Sequence, residues 1–167
     1  MPEVPFRSAA RRPSHPSRSL YDPDALDALS KRHAELQREL GTIRTEFAGR
    51  AIATALEQFA AFDLQWRGFL EIHEAVLLRP LSRDWASDAR VREQIARSRE
   101  RWHALAETFG EIASSLAAVR TVDETLIATL DFRFAEVSYR LGEAMRADRA
   151  SLFLLYLAPS QAPCVAH

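Results

Sequence analysis

Apolar residues recur every three or four positions through most of the chain, which is the spacing of amphipathic α-helices. The first such segment begins near Asp24, directly after Pro23, and loses its phase near Gly49. Its inward positions form a heptad seam: Leu26, Leu29, His33, Leu36, Leu40, Ile43 and Phe47. The seam predicts one long helix of the coiled-coil type that kinks, breaks or stutters near Gly49.

A second helix is predicted over about residues 50–78 and carries apolar residues on two adjacent stripes. They are Ile52, Leu56, Phe59, Trp66, Leu70 and Leu77 on one stripe, and Ala55, Phe62, Phe69 and Val76 on the other. Such a wide face is typical of a helix with neighbours on two sides, as in a globular bundle. Pro80 is expected to end this helix, with residues 81–84 as the connection.

A third helix is predicted over about residues 85–119, with a largely apolar stripe whose positions alternate steps of four and three. They are Val91, Ile95, Ser98, Trp102, Leu105, Phe109, Ile112, Leu116 and Val119. At 1.5 Å per residue this helix is on the order of 50 Å long. Because such a rod outreaches a small bundle, part of it is expected to pair with a partner.

A fourth helix is predicted from a capping box formed by Thr121 and Glu124 to about Arg149. Residues 151–157 follow it and are apolar on both faces, which predicts a strand covered on both sides. A lone strand leaves its backbone groups unpaired, so its partners would come from another copy, another protein or a domain that is missing. The alternative is that residues 151–157 extend the fourth helix.

These patterns predict an all-α fold: an antiparallel bundle of three to four long helices, one of the coiled-coil type, plus one short C-terminal strand. The expected organisation is a disordered, basic Pro/Ser/Arg-rich tail over residues 1–22, a helical module over residues 23–119, a further unit over residues 120–157, and a disordered tail over residues 158–167.

Charge and composition narrow the classes of partner. The net charge is −1 and no basic patch interleaves with Trp66, Trp85 and Trp102, which argues against nucleic acid as a partner. No apolar run reaches the roughly 18 residues that span a bilayer, and the N-terminus lacks the apolar core of a signal peptide. With Cys164 as its one cysteine, the chain is expected to be cytoplasmic, with no membrane contact.

Residues 107–157 resemble the entry into a GAF domain. The more specific part is the string ADRASLFLL at residues 147–155, which follows a long amphipathic helix. The resemblance implies a small-molecule sensor with a six-stranded antiparallel sheet, in which the ligand lies between the sheet and the later helices and loops. Tyr156 stands where an Asp often ends the first strand, and the chain stops before the remaining strands and the pocket. No ligand-binding residue of the family therefore maps onto this chain, and residues 120–157 are interpreted as an incomplete GAF-like unit.

Candidate metal ligands are sparse. Glu100 and His103 have the spacing that puts both side chains on one helix face, and His73 lies on another helix. A di-iron bundle needs two such motifs and two further glutamates, and a haem ligand has no more support. Gly-rich phosphate loops, nucleophile elbows and cysteine-based sites are absent from the sequence, so no catalytic residue and no cofactor are predicted.

The sequence therefore predicts a non-enzymatic signalling or regulatory module that dimerises with a second copy, from a GAF-linked sensor, with a further signalling protein as a possible partner. The predicted interface consists of Trp102, Leu105, Phe109, Ile112 and Leu116. Two alternatives stay open: a helical bundle that binds a metal or haem through His73 and His103, and a degenerate, truncated GAF protein without function.

Overall fold

The computed structural model describes residues 22–118 and 123–157, and these residues contain helices and turns but no strand. The helices are α1 (Pro23–Ala48), α2 (Ile52–His73), a π-helical segment (Glu74–Leu78), α3 (Arg79–Asp84), α4 (Ala89–Ala117) and α5 (Glu124–Leu157). The predicted all-helical class is confirmed. The predicted tails, residues 1–22 apart from Asp22 and residues 158–167, lie outside the described residues.

The four long helices run up, down, up and down around one core. His33 of α1 reaches Leu141 of α5, and Arg44 further along α1 reaches Asp131 earlier in α5, so these two helices are antiparallel. α4 and α5 are antiparallel in the same way. The core draws on all four long helices. The boundary predicted between residues 119 and 120 therefore does not separate two cores, because α5 is one side of the bundle.

Helix α1 has well-defined signals at both ends. The Asp22 carboxylate accepts a hydrogen bond from the N–H of Asp24, and Pro23 occupies the first turn. At the other end the N–H of Arg50 donates to Phe47 and the N–H of Ala51 donates to Glu46. This is the Schellman pattern, in which the residue after the C-cap adopts a left-handed conformation. Here that residue is Arg50, with φ of 63°.

The second helix continues past Pro80, where the sequence predicted its end. The chain changes to a π-helical turn over Glu74–Leu78, in which the N–H of Arg79 donates to the carbonyl of Glu74. The wider turn accommodates a proline that lacks an N–H and would crowd the carbonyl four residues earlier. Residues 81–84, predicted as a connection, are therefore part of the short helix α3.

The predicted strand over residues 151–157 is wrong, and its alternative, an extension of the fourth helix, is confirmed. These residues are the last two turns of α5, in which Leu152 and Tyr156 lie buried on the same face as Asp148. The hydroxyl of Ser151 also donates to the carbonyl of Ala147. Because the helix pairs its own backbone groups, the segment needs no sheet partners. A short apolar run cannot be assigned to strand or helix by periodicity alone.

The start of α5 also differs from the sequence prediction. The carboxylate of Asp123 caps the helix by accepting a hydrogen bond from the N–H of Leu126, at 2.7 Å. Thr121, the expected cap, lies outside the described residues. Glu124, expected to complete the capping box, forms an ion pair with Arg50 instead.

Replacing Arg50 by glycine should stabilise the protein. A left-handed residue with a Cβ costs about 1–2 kcal/mol relative to the right-handed region, and glycine removes most of that cost. The ion pair with Glu124 is exposed and contributes little. Because glycine also makes the unfolded chain more flexible, we expect a net gain of about 0.5–1 kcal/mol in the free energy of unfolding, measured by urea denaturation.

The matched control is Ala48→Gly, which adds the same flexibility at an exposed helical position. It should lower the free energy of unfolding by roughly 0.5–1 kcal/mol. If both variants were destabilised to the same extent, the left-handed backbone conformation of Arg50 would not be a source of strain.

Candidate functional site

A carboxylate lies at the centre of the bundle, on α5. Asp148 has 0% of its surface exposed. Its Oδ2 accepts hydrogen bonds from His73 Nε2 at 2.9 Å, Ser98 Oγ at 2.9 Å and Trp102 Nε1 at 2.7 Å. Its Oδ1 accepts from Arg101 Nη2 at 2.8 Å. Donors from α2 and α4 therefore converge on one side chain of α5, and we call these five residues the Asp148 cluster.

The electrostatics of the Asp148 cluster favour the ionised carboxylate. Burial alone would raise the pKa of Asp148, but hydrogen bonds from His73, Trp102 and Ser98 outweigh burial and hold the pKa below its usual value. Arg101, partly exposed at the bundle surface, places a guanidinium against the other oxygen. The buried charge is thus both paired and hydrogen-bonded, which is the condition under which proteins tolerate one.

The cluster contains Ser, His and Asp, yet its geometry is not that of a nucleophilic triad. In a triad the serine hydroxyl bonds to the histidine, and the histidine bonds to the carboxylate. Here Ser98 and His73 both bond to Asp148 directly. All three are buried, and the arrangement links α2 and α4 to α5.

His33 is a second buried polar group, on the α1 seam. Its Nε2 donates to the backbone carbonyl of Leu141 at 3.2 Å, and 5% of the residue is exposed. Burial lowers the pKa of His33; the Leu141 carbonyl works against this effect, and the charge of Arg149 adds to it. The neutral imidazole therefore links α1 to α5.

The structure separates the candidate metal ligands. His73 is hydrogen-bonded to Asp148, whereas His103 is exposed and lies 3.4 Å from Glu107 on its own helix. Glu100 lies at the surface beside the groove between α4 and α5. Within the part of the chain that the structure describes, no three His, Cys, Asp or Glu side chains lie close enough to hold a metal ion. His73 and His103 thus do not form a common site.

The predicted interface residues lie inside the bundle. Trp102, Leu105, Phe109, Ile112 and Leu116 are all at most 7% exposed. Trp102 and Phe109 pack against Trp66 of α2, with ring centroids 5.9 Å and 4.8 Å apart. The stripe of α4 is therefore covered by the same chain, and a second copy cannot reach it while the bundle is intact.

Open grooves follow the helix pairs, among them one between α4 and α5 and one between α1 and α2. The groove between α4 and α5 has a volume of about 400 Å³ and is lined by Arg97, Arg101 and Arg140 together with Glu100 and Glu143. The groove between α1 and α2 has a volume of about 390 Å³, and its charged lining residues are Glu35, Arg38 and Glu39. Charges of both signs line each groove, so neither is set up for an anion or a cation in particular.

The most distinctive surface is the outer face of α5. Four large apolar side chains are exposed there: Phe132 at 70%, Tyr139 at 66%, Leu154 at 62% and Leu157 at 54%. At 3.6 residues per turn they fall within about 60° of one another around the helix axis. Exposed residues between them continue the same face, and we define the α5 strip as Phe132, Tyr139, Glu143, Arg146, Ala150, Leu154 and Leu157.

Comparisons with known proteins leave the site to be interpreted on its own. No protein-family model, curated protein or solved structure matches this chain. The class that the described residues define is an antiparallel helical bundle with a buried aspartate–histidine pair. None of the helices in residues 22–118 and 123–157 has the length and apolar character to cross a membrane.

Sequence reasoning missed the role of Asp148, although two signals pointed to it. The sequence places His33 and Ser98, both polar, on otherwise apolar stripes. Asp148 likewise continues the buried face of Leu141, Met145 and Leu152, but it was interpreted as the end of a helix. Polar residues on three apolar stripes would have suggested polar contacts inside the core, though not which residues pair.

Removing the Asp148 carboxylate should strongly destabilise the fold. Asp148→Ala leaves His73, Trp102 and the Arg101 guanidinium without their acceptor. We expect a loss of about 3–5 kcal/mol in the free energy of unfolding, measured by urea denaturation. Asp148→Asn should lose less, because its amide oxygen can still accept hydrogen bonds from donors on the Oδ2 side.

The control is Asp131→Asn on the same helix, which removes an exposed carboxylate paired with Arg44 and should change stability little. Equal losses from Asp148→Ala and Asp131→Asn would contradict a special role for the buried carboxylate.

The stability should fall with acidification in the range where His33 titrates. The pKa of His33 is lowered in the folded protein from 6.5, so the unfolded chain binds more protons below that pH. The free energy of unfolding then keeps the full His33 contribution well above pH 6.5. It declines as the pH falls from about 6.5 towards the lower pKa of the folded protein. Asp148, whose pKa is also lowered from 3.8, adds a further loss near pH 4 and below.

Urea denaturation at about pH 7.5 and about pH 5.5 measures the His33 contribution. His33→Gln, which stays uncharged and can donate to Leu141, should reduce the difference between the two conditions. His103→Gln at an exposed position should leave the difference in place. An undiminished difference in His33→Gln would contradict the assignment.

Proposed function

We propose that the chain is a non-enzymatic regulatory module that acts through protein–protein contacts as a homodimer. The proposal rests mainly on the apolar part of the α5 strip, where four large side chains are more than half exposed on one face of one helix. Exposed apolar residues are ordinary when scattered singly, but an aligned set marks a contact surface. The proposal places the contact on α5 and not on the α4 stripe that sequence reasoning favoured.

The interior supports a role without chemistry of its own. Each donor of the Asp148 cluster is engaged with the same buried carboxylate, and the histidine of α1 is engaged with a backbone carbonyl. Groups used in this way fix the packing of helices. The surface of α5, in contrast, exposes apolar area that contributes nothing to the core.

The GAF origin is not carried into this proposal. The resemblance depended on a first strand over residues 151–157, and these residues are helical. What the proposal keeps from the sequence is the helical, non-enzymatic and dimeric character.

The proposal is tested by the molar mass in solution. Light scattering over a concentration series from the micromolar to the submillimolar range should show the mass rising from 18.9 kDa towards that of two chains. Phe132→Glu should weaken this association by at least about tenfold, because it places a charge among apolar contacts.

The matched control is Leu64→Glu on α2. Leu64 is 73% exposed, close to the 70% of Phe132, but lies away from the α5 strip. It should leave the concentration dependence unchanged. A wild-type chain that stays monomeric over the whole series would overturn the proposal.

A further inference from the structure

We infer that two copies pair antiparallel along the α5 strip, with Glu143 of each copy facing Arg146 of the other. The inference rests on the proposed homodimer and adds its geometry. It follows from the order of the residues along the strip, which is complementary to itself when one helix is reversed.

The strip has the spacing of a helix–helix seam. From Phe132 its positions advance to Tyr139, Glu143, Arg146 and Ala150 in steps that fit a heptad, with Leu157 a further heptad along. Between Phe132 and Leu157 the strip is about 38 Å long. It is therefore long enough for a pair of helices to pack side by side over several turns.

Reversing the second helix about a point between residues 144 and 145 brings matching positions together. Phe132 then lies opposite Leu157, Tyr139 lies opposite Ala150, and Glu143 lies opposite Arg146. Each contact occurs twice, because a two-fold axis relates the same patch on both copies. The large side chains meet a smaller or flexible partner, and the two opposite charges meet each other at the centre.

Other arrangements match less well. A parallel pair in register would set Glu143 against the same glutamate and Arg146 against the same arginine, which is repulsive. An antiparallel pair shifted by one heptad would set Tyr139 against Glu143 and Phe132 against Ala150. Charge complementarity thus selects both the direction and the register of the pair.

The charges at the centre are available for such a contact. Glu143 and Arg146 form an ion pair within α5, and their side chains remain 50% and 63% exposed. In the dimer the two pairs come together as a network of four alternating charges. Glu136, which also lies on the outer face, is paired with Arg140 of its own helix at 3.8 Å, so its charge is partly compensated where it borders the apolar contacts.

The size of the contact predicts a weak dimer. A strip about 38 Å long and about 10 Å wide covers roughly 400 Å² on each copy. Stable complexes usually bury about 800 Å² on each side, so association in the micromolar range or weaker is expected. Such a dimer would respond strongly to single charge changes at its centre.

Charge reversal tests the register directly. Glu143→Arg alone sets two arginines against each other across the axis, and Arg146→Glu alone sets two glutamates against each other. Each variant should self-associate at least about tenfold more weakly than the wild type in light scattering or sedimentation. The double variant E143R/R146E should associate as the wild type does, because the opposite charges meet again.

Mixing the two single variants gives a second readout. A copy with two arginines and a copy with two glutamates are complementary, so the mixture should form heterodimers that neither variant forms alone. Glu93→Arg reverses one charge of an exposed ion pair on α4 and should not affect dimerisation. Urea denaturation of each variant checks that the monomer remains folded.

The outcomes separate the register from the proposed function. A wild-type dimer that Phe132→Glu weakens but the charge reversals leave unchanged would overturn the antiparallel register and keep the homodimer. A monomeric wild type would overturn both.

Discussion

The carboxylate of Asp148 constrains three helices at once. Burying a charge costs several kcal/mol, and the cost is offset only where donors meet the charge in good geometry. His73 supplies one donor from α2, while Ser98, Arg101 and Trp102 supply donors from α4. Apolar packing tolerates small rotations and shifts of a helix, but these hydrogen bonds do not. The rotation and axial position of α2, α4 and α5 are therefore set together.

The π-helical turn after His73 follows from this constraint. His73 must face Asp148, and Leu77, Leu78 and Leu81 must face the core within the next two turns. Pro80 cannot occupy a regular helix interior without disturbing the preceding carbonyls. A turn that contains one extra residue removes the conflict and changes the direction in which the following side chains point. The helix therefore passes Pro80 and still keeps its apolar residues inside.

The sequence predicted most of the fold because helical periodicity is a local signal. The long helices and nearly all inward positions of α1 and α4 were recognised from spacing alone, including the polar members His33 and Ser98. The candidate sites were not predictable in the same way. Asp148 lies 75 residues along the chain from His73. Whether the donors reach this carboxylate depends on how the helices pack against one another, and no local sequence pattern encodes helix packing. For the same reason the α4 stripe was assigned to a second copy when the chain itself covers it.

The apolar character of residues 151–157 led to the wrong assignment and has a different meaning in the helix. Both faces of the segment are apolar because Leu152, Phe153 and Tyr156 fill the core while Leu154 and Leu157 remain exposed. Helical hydrogen bonds remove the need for neighbouring strands, since the N–H groups of residues 151–157 donate to carbonyls one turn earlier in α5. They do nothing for the apolar side chains left in water, whose burial would still lower the free energy. The need for a partner, first attributed to backbone groups, is therefore better assigned to the side chains of the α5 strip, for which we propose a second copy with its helix reversed.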